Sequence, residues 1–389
     1  MLLFNGCDLL ISDNNSESEK KISIIFNKHL DITDTENSEA SDIINVSNGG
    51  YLVAGRTFIS GNKPFFLRID ESGNKIWDKI YNGQRVHSVV ETPDGGFAAT
   101  GGGSDGIYVV KSDLNGNLEW EQYVQIPYDD DAHKIILTDS GDLVVACNSY
   151  STSSSGIIFK LDIRGNMIWQ YSYDGEGRNM ILSLAENKDR DLLIFGQTII
   201  YNYEEEFPMG TSTYWIQKLN SNGIPIYKKN IEHDISSIYR QGSESPTIPY
   251  LYNQYLSCGE QYYFIFDDSG NVKKYSLQIP TIKYHSVEAE HLDFNISGNI
   301  IIIGSLVKDA VETNEDGKKY YSTFYEPAVF QVSQTGDILD ASIVSDLNFK
   351  YASLRSVIYN DDGSIVAVGH MRSNENGKMK IWITKFIIE

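Results

Sequence analysis

Three stretches of this chain carry residue types whose spacing matches known chemistry. Gly102-Gly103-Ser104-Asp105-Gly106 has the G-x-S-x-G spacing of a hydrolase nucleophile. A serine in that role sits on a sharp turn between a strand and a helix. Here the β-rich run from Ile107 to Asp113 follows at once, so the match is read as coincidence. Tyr128-Asp129-Asp130-Asp131-Ala132-His133 places three consecutive carboxylates near an imidazole. Such a loop would hold a divalent cation, or form a solvated turn in an acidic chain; the second reading is preferred. Asp113-Leu114-Asn115-Gly116-Asn117 starts like a calcium loop but has no closing glutamate, and Asn-Gly is what a tight hairpin requires. The remaining histidines (His29, His87, His233, His285, His291 and His370) lack H-x-x-x-H or H-E-x-x-H spacing. No glycine loop opens a helix to cradle phosphate. No catalytic residue, metal or cofactor is therefore expected.

Charge narrows the partners. The 389 residues carry a formal charge of −21, which repels nucleic acid and anionic membrane surfaces. No apolar run reaches the ~20 residues of a spanning helix. With 25 Tyr, 16 Phe and 32 Gly against 9 Pro, the composition suits an all-β chain of many hairpins.

The elements that must position any site are repeats. Short apolar runs end in a small residue at Gly55, Gly101, Cys147, Gly196, Gly259, Gly304 and Gly369, spaced by 46, 46, 49, 63, 45 and 65 residues. Each is followed by a second β-rich run, such as Phe65 to Asp70 or Trp382 to Ile387. Tight turns then lead to a further strand at Gly73-Asn74, Gly116-Asn117, Gly165-Asn166, Gly223, Gly270-Asn271 and Gly336-Asp337. A four-stranded meander of this length cannot bury both faces alone and stacks on its copies. The expected fold is an all-β, seven-bladed β-propeller of four-stranded antiparallel blades, in one domain over 21–389. Only six copies have a fourth strand, because the last lacks one; Lys21 to Asn27 (K-I-S-I-I-F-N) is expected to complete it and close the ring.

Two resemblances add to this. Asp70-x-x-Gly73-Asn74-x-x-Trp77, Asp113-x-x-Gly116-Asn117-x-x-Trp120 and Asp162-x-x-Gly165-Asn166-x-x-Trp169 resemble the Trp-docking repeat of quinoprotein-type (PQQ/WD40-like) bacterial propellers. That resemblance implies a buried Trp between adjacent blades and a glycine in each turn. Tyr227 replaces the Trp in the fourth copy, Lys274 or Tyr275 in the fifth and Asp340 in the sixth. Met1-Leu2-Leu3-Phe4-Asn5-Gly6-Cys7 resembles the end of a bacterial lipoprotein signal peptide, which implies acylation of Cys7, a flexible tether over 1–20 and a place in the cell envelope. Cys147 and Cys258 are then expected as buried, unpaired thiols.

Function is sought in loops of unequal length. Gln197 to Tyr214, Ser305 to Pro327 and the link from Ile231 to Thr247 are the long ones, and all are expected on one face of the disc. The first carries Tyr201, Tyr203 and Phe207 beside Glu204-Glu205-Glu206; the second carries Tyr320, Tyr321, Phe324 and Tyr325. These aromatics are the candidate ligand-binding residues, and they would stack on a sugar or anchor a peptide or protein. They would equally pack on neighbouring loops. The preferred function is a surface-anchored, monomeric binding or scaffold module recognising a glycan, peptide or protein. The alternative is a glycan-active hydrolase or lyase with a carboxylate-lined central pocket, and a quinoprotein-like dehydrogenase comes third.

Overall fold

In the computed structural model the described residues lie within 22–388, apart from short stretches, the longer of which are 150–155, 203–208, 232–246, 277–285 and 314–318. The strands pair into seven four-stranded antiparallel sheets. Six are sequential meanders. Numbered by chain order, the first spans Ser38 to Ile80, the second Ser88 to Val124, and the third Asp130 to Ser172. The fourth spans Arg178 to Ile231, the fifth Thr247 to Ser276, and the sixth Ser286 to Ile343. The seventh joins Phe349–Tyr359, Ile365–Ser373 and Met379–Ile388 to the N-terminal strand Ile22–Leu30. That strand is longer than Lys21 to Asn27 suggests, because its pairing continues to Leu30 opposite Ile381. Each sheet packs on the next, and the seventh packs back on the first through the strand Ser38–Asn45. The arrangement is an all-β propeller whose buried clusters fill the seams between blades.

The small residue that ends each apolar run has a backbone cause. In five inner strands the register slips by one residue, between Ala40 and Asp42, Ala132 and Lys134, Ile181 and Ser183, Ala289 and His291, and Leu354 and Ser356. Such a bulge bends the strand and pushes its backbone towards the neighbour. The residues facing Ala40, Ala132, Ile181, Ala289 and Leu354 are Gly55, Cys147, Gly196, Gly304 and Gly369. A Cβ built on Gly55 collides with the Glu39 carbonyl, and one on Gly369 with the Ser353 carbonyl. At Gly55 and Gly369 the periodic glycine thus marks where the bulged inner strand comes closest, whereas at Gly196 the Trp215 ring takes up the space.

A second contact links blade to blade. The outermost strands carry Trp77, Trp120, Trp169 and Tyr227, each resting on the glycine turn of the following blade. Cβ atoms at Gly116, Gly165, Gly223 and Gly270 would lie 2.7, 3.3, 2.8 and 3.1 Å from those four rings. The ring polar atoms complete the dock: Trp120 Nε1 donates to Ile163 O at 3.1 Å, Trp169 Nε1 to Ser221 O at 3.1 Å, and Tyr227 OH to Asp268 O at 2.9 Å. In the turns themselves Gly73, Gly116, Gly165, Gly223 and Gly270 all have φ between +72° and +88°, where a side chain is strained. The docking tryptophans are half-buried rather than buried, because outer strands leave one side of each ring open at the rim. Fully buried tryptophans exist elsewhere, at Trp215 and Trp382 on third strands. The seventh blade supplies its own docking ring from the N-terminal strand, since Phe26 lies 2.9 Å from a Cβ at Gly73.

The close approach at the bulge is testable. Gly369→Ala forces its methyl against the Ser353 carbonyl, and overpacking of this kind costs on the order of 1–3 kcal/mol. A thermal melt should therefore show a clear drop in Tm; an unchanged Tm would mean that the bulged strand has room to move.

Candidate functional site

The inner strands of the first, second, third, sixth and seventh blades line an axial cavity of about 480 Å³. The residue just after each bulge sets its chemistry. Asp42 holds that place in the first blade and spends both oxygens on its neighbours. Its Oδ2 accepts from Val89 N of the second blade at 3.0 Å, and its Oδ1 accepts from Ser356 Oγ of the seventh at 2.8 Å. His291 holds it in the sixth blade, where Nδ1 accepts from Val357 N at 3.4 Å. Asp293, two residues on, accepts from Tyr359 N at 2.7 Å. Lys134 holds the same place in the third blade and reaches the cavity as a cation. A buried carboxylate or imidazole is stable only when its polar atoms are bonded, so these side chains fix the inner edge of one blade to the next.

Burial and charge shift the titrations. His291 is pushed down to about 3, chiefly by burial among the inner strands and then by the Lys134 ammonium. Some of its surface still faces the cavity. His370, on the second strand of the seventh blade, is also pushed down to about 3 by burial, with Arg355 and Arg56 adding to it. Burial raises Asp293 to about 6 against its backbone hydrogen bonds.

Acids also tie blades together at the rim formed by the first-to-second-strand turns. Ser47 N and Oγ donate to the Glu91 carboxylate at 2.8 and 2.6 Å, joining the first and second blades. Asp139 N donates to Glu186 Oε2 at 2.6 Å, joining the third and fourth.

Within the acidic run before His133, Asp131 is placed differently from a solvated turn, while Tyr128 and Asp129 lie outside the described residues. Asp131 is the second residue of the inner strand of the third blade and is buried at 5 % exposure. Its Oδ2 pairs with Arg85 Nη2 at 2.6 Å and meets His87 Nε2 at 3.0 Å, both on the second blade's leading segment. Its pKa is lowered: burial works against ionisation, and the His87 and Arg85 charges outweigh it. His133 is the bulge residue, buried, with Nδ1 3.5 Å from Asn148 Nδ2. Asn148 in turn bridges to the fourth blade, accepting from Ile181 N at 2.8 Å and donating to Ile181 O at 2.9 Å. This is seam chemistry. Burial could not be read from three aspartates in a row, because the partner Arg85 lies more than forty residues away. No group of three or more potential metal-ligating side chains occurs among the described residues. The strand Gly106–Ser112 follows the G-x-S-x-G stretch directly, while Ser104 and Asp105 lie outside the described residues.

The two long aromatic segments are strands over most of their length. In the fourth blade, Leu192–Asn202 pairs with Met209–Leu219 out to Asn202 opposite Met209. Tyr201 is therefore a strand residue opposite Gly210, whereas Tyr203 and Phe207 lie outside the described residues. In the sixth blade, Ile300–Thr313 pairs with Lys319–Val332 throughout. Tyr320, Tyr321, Phe324 and Tyr325 occupy ladder positions opposite Glu312, Val311, Lys308 and Val307. What the sequence suggests as loops are central hairpins prolonged beyond the blade. Val307, Val311 and Thr313 are β-branched and Tyr320 to Tyr325 is rich in aromatics, the bias of strands, and that was the available signal. Both hairpins join second to third strands, so both rise from one face of the ring. Most of the link from Ile231 to Thr247 lies outside the described residues, as does Cys7. Cys147 is a buried thiol whose Sγ–H donates to Ile157 O at 3.3 Å, and Cys258 lies on the strand Gln254–Gly259.

No family model matches the chain, and no curated protein matches it. Solved structures share its fold. A structure of the Dos1 propeller is 10 % identical with a TM-score of 0.51, covering 90 % of this chain and 77 % of that one. Sqt1 from Chaetomium thermophilum is 11 % identical with a TM-score of 0.52, covering 95 % and 100 %. A protein of unknown function from Dyadobacter fermentans is 10 % identical with a TM-score of 0.50, covering 95 % and 99 %. At these identities the likeness is one of fold.

The depressed histidines give a pH dependence with a definite sign. Between about 6.5 and 3 the unfolded chain takes up protons on His291 and His370 that the folded chain refuses. Their contribution is full above 6.5 and is lost as the pH falls. Asp293 acts oppositely between about 6 and 3.8, where the folded form holds the proton. Two groups outweigh one, so Tm should fall from pH 7 to pH 4.5. The double variant His291→Gln, His370→Gln should flatten that fall, and an equally steep fall would contradict the assignment.

Proposed function

We propose that this chain is a binding or scaffold module, a closed seven-bladed ring that recognises a glycan, peptide or protein on its hairpin face. One observation carries the reading. The central hairpins of the fourth and sixth blades have strands of 11 and 14 residues, against 7 in the second blade. Both stand on the same face with one blade between them. A rigid ring that prolongs two near neighbours on one side builds a wall there, and specific contacts concentrate on such projections. Tyr201, Tyr203 and Phe207 on one hairpin and Tyr320, Tyr321, Phe324 and Tyr325 on the other supply aromatic area for a sugar ring or a peptide. Glu204 to Glu206 favour a neutral or cationic ligand. Anchoring through an acylated Cys7 would hold the module at a bacterial envelope, with the face free to meet its partner. The glycan hydrolase reading gains less support, because Asp42 and Glu91 in the axial cavity already accept hydrogen bonds from neighbouring blades.

The test replaces 200–212 and 308–324 with short Gly-containing turns and screens both proteins against glycan and peptide arrays. Ligands of the parent protein should be lost from the shortened one while Tm stays near that of the parent. Retained binding would remove the hairpins from the site.

A further inference from the structure

The axial cavity lies away from the prolonged hairpins, and its hydrogen-bonding balance is uneven. Its acids are committed. Asp42 accepts from Val89 N, Ser356 Oγ and Ile43 N, at 3.0, 2.8 and 2.9 Å. Glu91 accepts twice from Ser47, and Asp293 accepts from Tyr359 N. Its donors are not committed. Lys134 has no hydrogen bond or ion pair within the reach of its ammonium among the described residues, although it acts electrostatically on His291 and Asp293. His291 accepts on Nδ1 from Val357 N, which leaves the ring proton on Nε2. Two donors therefore line a cavity whose acidic side chains already accept hydrogen bonds.

From this we infer that the axial cavity binds a small carboxylate, held by the Lys134 ammonium and His291 Nε2–H. Lys134 is half-buried, and the charge-assisted hydrogen bonds its ammonium would give an anionic oxygen are the stronger kind. The surrounding Asp42, Glu91 and Asp293 set the charge limit, since they repel a second negative group. A monoanion with a neutral polar or apolar remainder fits; a dicarboxylate or phosphate fits poorly. A volume of about 480 Å³ lies within the range of small-molecule sites and admits a compact acid. Lys134 itself explains why the site is distinct within the ring. The equivalent positions hold Asp42, Ser183, His291 and Ser356, and Lys134 is the cation among them. A seam position that elsewhere holds neutral or acidic side chains has become a charged donor here.

The carboxylate would belong to a free small acid or to the C-terminus of a peptide, and the experiment separates the two. Isothermal titration of the full chain would use N-acetylglycine, its uncharged analogue N-acetylglycinamide, succinate, and a tetrapeptide with a free C-terminus. N-acetylglycine should bind, the amide should not, and succinate should bind more weakly. A tetrapeptide that binds tighter than N-acetylglycine assigns the site to a chain terminus, and one that binds more weakly assigns it to a small acid. Lys134→Met removes the charge and keeps most of the stem, and it breaks no bond to another blade. It should weaken carboxylate binding at least tenfold without lowering Tm. Lys134→Arg should retain most of the affinity. Failure of every carboxylate to bind, or binding unaffected by Lys134→Met, overturns the assignment.

Discussion

The structure depends on one repeated contact, shown at five of the seven seams, in which an aromatic ring on the outermost strand of one blade lies on the glycine turn of the next. The turn must carry glycine twice over. Its φ is positive, and any Cβ would fill the space that the ring occupies. The turn is held by its own leading residue: the Asp70 carboxylate accepts from Ser72 N and Asn74 N at 2.9 and 2.7 Å and from Asn74 Nδ2 at 2.9 Å. Asp113, Asp162 and Asp267 repeat this, so each docking surface is stiff before the ring arrives. Phe26 performs the same task for the seventh blade, and it comes from the other end of the chain. Dispersion between closely packed atoms is small per pair and large in sum, which makes each dock sensitive to fit.

Within that frame the polar groups separate by depth. On third strands the stems of Lys111 and Lys160 are buried while their ammonium groups pair with Asp94 and Asp142 from the adjacent turn, at 3.0 and 2.9 Å. These pairs neutralise cations that would be costly alone. Further in, Asp42, Asn148, His291 and Asp293 accept backbone N–H groups of the following blade and so replace a sheet ladder across the seam. The seams thus consume most of the inner polar chemistry. What they leave over, Lys134 and the free side of His291, is confined to the axis, while the aromatic hairpins stand at one face. The proposed hairpin-face and axial sites are thus separate parts of one scaffold.

Much of this was legible in the chain, for reasons specific to repeats. The small residue at Gly55 and Gly369 recurs because a bulged neighbour requires it. Asp-x-x-Gly-Asn recurs because the turn bonds to itself. Local chemistry of that kind leaves a local signature. The N-terminal strand was legible by subtraction, from a missing fourth run. Other features were not. Phe26 as the closing dock has no motif, since it precedes the turn it meets by 47 residues. The burial of Asp131 depends on Arg85 and His87, and the occupation of Asp42 depends on Ser356 and Val89. Long-range partners leave no spacing to read. Calling the aromatic segments loops followed from their position between strands, although their β-branched and aromatic residues already suited a longer hairpin.

The central claim is that the ring is a single closed unit sealed by the N-terminal strand. Hydrogen–deuterium exchange on Phe26→Ala, compared with the parent chain, tests it most directly, because exchange reports opening element by element. The account predicts that amides of Ile22–Leu30 and Met379–Ile388 lose protection together with those of the inner strand Ser38–Asn45. Loss confined to Ile22–Leu30, with Ser38–Asn45 as protected as in the parent chain, would show that the strand is an accessory and would contradict the account.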